Sequence, residues 1–94
     1  MTTFVMIGKY SSEAIRDISS NRTERAIELI KELGGKLHSM YALLGGFDVI
    51  LIAEFPKLEV AMKASLGLSL LTGISFTTFP TVTVEDFDKM VSAL

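Results

Sequence analysis

The chain is 94 residues long with one histidine, no cysteine and a formal charge of −2. Those figures bound it to one domain (residues 1–94) without disulfides, thiolate or multi-histidine metal sites, or the basic patch that nucleic acid needs. Yet 49% of its residues are hydrophobic and its mean hydropathy is +0.45, an excess that a chain burying roughly two-thirds of its surface cannot absorb alone.

A membrane does not take up the excess. The uncharged run from Ala64 to Pro80 is broken by Gly67, Gly73 and several serines and threonines, whereas a spanning helix wants about 20 predominantly apolar residues. Met1 to Gly8 lacks the basic start of a signal peptide, so a cytoplasmic location is expected.

In chain order, Phe4 to Tyr10 predicts strand one. Ser11 and Ser12 predict the cap of a short helical turn with Ala14, Ile15 and Ile18 as its apolar side. Asn21, with Glu24 three residues on, reads as a capping box for the first main helix. Along that helix Ala26, Ile27, Ile30 and Leu33 form one stripe, and Gly34-Gly35 stops it.

Lys36 to Leu44 predicts strand two, with Lys36, His38, Met40, Ala42 and Leu44 on one face and Leu37, Ser39, Tyr41 and Leu43 on the other. A Gly45-Gly46 turn then leads into strand three, Asp48 to Phe55. Leu58 to Leu71 predicts a second main helix, nearly uncharged and apolar around most of its circumference. Thr72-Gly73 ends it, and Ile74 to Phe79 predicts strand four. Thr83 with Asp86 predicts the start of a short C-terminal helix whose stripe is Phe87, Met90, Val91 and Leu94. That stripe is expected to cover the uncharged helix; the alternative is that the helix marks further assembly.

The order β-α-β-β-α-β is that of an α+β, ferredoxin-like domain, two helices on one face of a four-stranded antiparallel sheet. The other face should be polar in a monomer. Here Val5 and Ile7 oppose Phe4 and Met6, and Ile50 and Ile52 oppose Val49 and Leu51, so strands one and three are apolar on both faces. A homodimer or higher homo-oligomer through the open face, the dimeric α/β barrel, is therefore expected.

The run Lys36 to Ile52, with Leu44-Gly45-Gly46-Phe47-Asp48 at its centre, resembles the segment for which the GYD-motif domain family is named. Gly8-Lys9-Tyr10, the Gly34-Gly35 stop and Glu54-Phe55-Pro56 fit it too, so the resemblance extends over about residues 4 to 91. Phe47 stands where the motif has tyrosine, so any chemistry needing that hydroxyl is missing there. The resemblance implies a ferredoxin-like fold of the dimeric α/β-barrel kind and no particular activity.

Five residues are candidates for chemistry. His38 is the natural general base, or an interface histidine with a local hydrogen bond. Tyr10 and Tyr41 are candidate partners for His38 or orienting groups for a polar ligand, or amphipathic core residues. Asp48 either faces a cleft or caps the hairpin turn. Arg22, with Arg16 and Arg25, is a candidate for an anionic ligand, or a solvated helix charge. The methionines Met6, Met40, Met62 and Met90 read as adaptable core filling. No phosphate loop, metal spacing or Ser-His-Asp order stands out, so no cofactor is expected. The function expected is a small-molecule-binding or assembly module. The alternative is a cofactor-independent oxygenase or isomerase built on His38 with Tyr10 or Tyr41.

Overall fold

A computed structural model describes residues 1–94. Eight elements follow one another: β1 (Thr2–Tyr10), α1 (Ser12–Arg16), α2 (Ser20–Glu32), β2 (Lys36–Ala42), β3 (Val49–Phe55), α3 (Leu58–Thr72), β4 (Ile74–Pro80) and α4 (Val84–Ser92). The strands form one sheet in the order β2-β3-β1-β4, with every neighbouring pair antiparallel. This is the ferredoxin-like arrangement. No helix is long and apolar enough to cross a membrane.

Local chemistry places the helix ends. Ser11 Oγ accepts the Ala14 N–H and opens α1. Ser19, rather than Asn21, caps α2, its Oγ accepting the Arg22 N–H at 3.1 Å. The helix thereby starts before the expected capping box. At its other end Gly34 takes φ +78°, and the N–H groups of Gly34 and Gly35 bond the carbonyls of Lys31 and Ile30. That double bond pattern satisfies two terminal carbonyls and needs a residue tolerant of left-handed backbone.

Helices α2 and α3 cover the face carrying Phe4, Met6, Leu51, Ala53 and Phe55, all buried, together with Ile30 and Leu68 from the helices. Phe4 and Phe55 meet edge to face with ring centroids 5.8 Å apart. Gly8 belongs to the same face. A Cβ there would come within 2.7 Å of Ile74 Cγ2 and Val49 Cγ1 and 2.9 Å of Phe76 Cε1. Gly8→Ala is therefore expected to lose about 1–3 kcal/mol by overpacking, read as a lower urea midpoint. An unchanged midpoint would mean that the three side chains move aside freely.

The opposite face is uncovered. Val5, Ile7, Ile50 and Ile52 lie on it half-buried, beside exposed Tyr41 and Phe79.

Three expectations change. The pairing of β2 with β3 shifts between Leu37 and Ser39, a bulge at His38 that puts Leu37 and Met40 on one face instead of two. Strand β2 ends at Ala42, and residues 43–48 form a loop longer than a two-residue turn, closed by Leu43 N–H to the Asp48 carbonyl at 2.8 Å. Helix α4 buries none of its residues and leaves α3 bare, with Leu58, Met62, Leu66 and Leu70 exposed. The reason lies in the linker: the Thr81 N–H and hydroxyl both donate to the Thr3 carbonyl, at 3.0 and 2.8 Å. The chain is held along the sheet past β4 and does not turn back over α3.

Candidate functional site

The two faces of the sheet divide the candidate residues. Tyr10, Arg22 and Asp48 meet at one corner between sheet and helices; His38 and Tyr41 stand on the open face.

The corner is built from four local decisions. Strand β1 ends with Tyr10 on the helix side. The Ser19 cap makes Arg22 the third residue of α2. Its guanidinium then reaches over the Tyr10 ring, 5.6 Å from the centroid, a cation–π geometry. Arg22 Nη1 also donates to the Ala14 carbonyl at 2.6 Å, tying the end of α1 to α2. Finally, Asp48 Oδ2 accepts the Tyr10 N–H at 2.8 Å, while the Asp48 N–H donates to the Gly8 carbonyl and Lys9 Nζ to the Gly46 carbonyl. The Asp48 carboxylate secures the hairpin loop against β1, while its backbone carbonyl closes the loop on Leu43.

Behind Tyr10 and Arg22 lies an apolar cavity of about 50 Å³, walled by Met40, Leu51, Leu68 and Phe76 among others. It has room for roughly three or four water-sized groups. Thr72, also in the wall, is satisfied internally: its hydroxyl donates to the Leu68 carbonyl at 2.7 Å and accepts from the Ile74 N–H at 3.1 Å. Arg22 forms no salt bridge, the ion pairs of the chain being His38–Glu54, Lys57–Glu59 and Lys89–Glu85. The corner therefore offers a cation with free N–H donors at the edge of an apolar hole. Besides Arg22, the one ionisable side chain in its wall is Tyr10, since Asp48 is turned to the backbone.

On the open face His38 Nε2 lies 2.8 Å from Glu54 Oε2, with both side chains partly exposed. Tyr41 sits three residues along, opposite Ile50. Tyr10 is separated from both by the sheet, so His38, Tyr10 and Tyr41 do not converge on one space. Arg16 ends α1, and Arg25 lies over a shallow surface between α2 and α3, with Glu28 and Gly67; only Arg22 reaches the cavity. Met6 and Met40 fill the interior as expected, whereas Met62 and Met90 are exposed.

Two features escaped the sequence reading. Glu54 is the one charge of β3, and the hairpin register brings it to the bulge at His38. Its isolation in an apolar strand was the available signal. Met40, Leu68 and Phe76 converge on the cavity from β2, α3 and β4, and no local pattern announces that.

Comparison with known proteins places this geometry. The family model for the GYD domain matches residues 4–91. No curated protein matches the sequence. Among solved structures, the fold is similar to the leucine response regulatory protein (LrpA) of Mycobacterium tuberculosis, with a TM-score of 0.59 and 5% identity. The likeness covers 87% of this chain and 51% of that one, so the chain spans about half the length of its neighbour. At that identity the likeness concerns the fold alone.

Proposed function

The chain belongs to the GYD domain family, and from that premise we propose that it is a homo-oligomeric module binding a small anionic molecule at the Tyr10–Arg22 corner. One observation carries the reading: Arg22, held on Tyr10 and on the Ala14 carbonyl, has no carboxylate partner and borders an apolar cavity. An anionic head on the guanidinium, with a short apolar tail in the cavity, satisfies both halves of the corner. Association through the open sheet face accounts for the uncovered, half-buried surface of Val5, Ile7, Ile50 and Ile52.

The oxygenase or isomerase alternative needs His38 and a tyrosine around one substrate. His38 shares its face only with Tyr41, and its Nε2 is engaged by Glu54. The geometry therefore favours binding over catalysis.

Native mass spectrometry of the purified protein tests the reading. The wild type is expected to retain, or to take up from a panel of small carboxylates, a ligand that Arg22→Gln binds at least tenfold more weakly. That is about 1.4 kcal/mol, the low end for a lost charge-assisted bond. Equal binding by the two proteins, or no binding of any panel member by the wild type, would overturn it.

A further inference from the structure

Besides the open sheet face, two apolar surfaces of this chain lie uncovered. The first is a groove of about 250 Å³ between α3 and the edge strand β4, lined chiefly by Phe4, Leu58, Ala61, Met62, Leu66 and Phe76. No residue of α4 lines it. The second is the stripe of α4: Val84, Phe87 and Val91 recur at helical spacing, with Met90 beside them and Leu94 just past the helix end, and all five are exposed. An amphipathic helix with nothing against its apolar side is built to lie in a groove.

We propose that the α4 helix of one copy docks in the α3–β4 groove of a second copy, and that the exchange is reciprocal. Length agrees. Leu58 to Leu66 runs about 12 Å along α3, and α4 from Val84 to Ser92 is likewise about 12 Å long, at roughly 1.5 Å per residue. Charge agrees as well. Glu85 pairs with Lys89 within α4, which leaves Asp86 and Asp88 unpaired on an acidic helix. Lys63 on α3 has no ion-pair partner, and Lys57 is held only by an exposed contact of 4.0 Å with Glu59. Such exposed charges set orientation more than strength.

The occupant is a second copy and not the chain's own α4 because of the linker. Both donors of Thr81 are fixed on the Thr3 carbonyl, which directs α4 away from its own groove. A single nine-residue helix makes a small contact beside the roughly 1,600 Å² of a standard interface, but two-fold exchange makes that contact twice. The proposal does not depend on ligand binding or on the open sheet face.

The absence of native cysteines allows a direct test. Protein carrying only Leu66→Cys and protein carrying only Phe87→Cys are mixed, unfolded, refolded together and oxidised with glutathione. The expected product is a disulfide-linked pair containing one chain of each kind, identified by mass after non-reducing electrophoresis. In the double variant L66C/F87C, the same 66–87 bond is expected between chains. Truncation after Thr83 is expected to keep the far-UV circular dichroism of the sheet and two main helices, since α4 buries nothing in its own chain. It should also lower the native mass or weaken association at least tenfold. A 66–87 bond within one chain, bonds only between like residues, or no bond at all overturns the exchange. So does a truncated protein that associates as the full chain does. Loss of association through the sheet face, which leaves α3 and α4 untouched, reports on the earlier reading alone.

Discussion

Protein carrying Ile52→Asp will sediment at lower mass than the wild type while keeping its secondary structure. Ile52 stands half-buried on the open face, paired with Val5 on one side and Ser39 on the other. In a lone chain an aspartate there keeps access to water and costs little. In a two-fold interface the same carboxylate is buried twice. A penalty on the order of 4 kcal/mol, about a thousandfold in dissociation constant, follows from burying unpaired charge. The measurement is light scattering across micromolar concentrations, against a chain mass of 10.3 kDa. A wild type at the chain mass, or a variant retaining the wild-type mass, would refute association through this face.

Phe55→Ala is expected to lower the fold's stability by about 3–5 kcal/mol at fixed protein concentration. The ring is fully buried. It stacks edge to face on Phe4, and it lies so close to Gly35 that a Cβ there would come within 2.6 Å of its Cε1. Truncation thus strips Phe4 of its partner and opens a void under the Gly34-Gly35 helix stop, where neither neighbour has atoms to refill it. A domain of this length has roughly 5–14 kcal/mol in hand, so the loss is a large fraction of it. Urea titration at constant slope reads the change; a loss below about 1 kcal/mol would mean that the site collapses around the gap.

How much of this was legible from residues alone varies by element. Strands β1 and β3, helices α2 and α3, and the Ser11, Thr83 and Gly34 signals were readable because each rests on a local periodicity or a single hydrogen bond. Strand β2 was not, since a bulge changes the parity of a strand without changing its composition, and so Met40 crossed to the other face from His38. The C-terminal stripe was visible, but its partner was misjudged: one Thr81–Thr3 attachment redirects a helix whose own sequence is unaltered. The candidate site was half legible. Tyr10, Arg22 and Asp48 were singled out separately, but their meeting depends on the Ser19 cap and on β1 ending level with the hairpin loop. His38 and Tyr41 share a face through an irregularity that strict alternation does not contain.

The position of β1 governs the order in which the molecule can come into being. It is the first strand of the domain and the second from one edge of the sheet, paired along both sides with segments made later: Thr2 opposite Phe55, and Phe4 opposite Pro80. Neither side can close early. A nascent chain therefore carries an apolar ribbon with two open flanks until β3 has been made, and with one open flank until β4 follows. Such distant pairings slow folding relative to helical domains and lengthen the time in which strand edges meet the wrong neighbour. The β2–β3 hairpin is the most local pairing of the sheet and needs neither end of the domain in order to form.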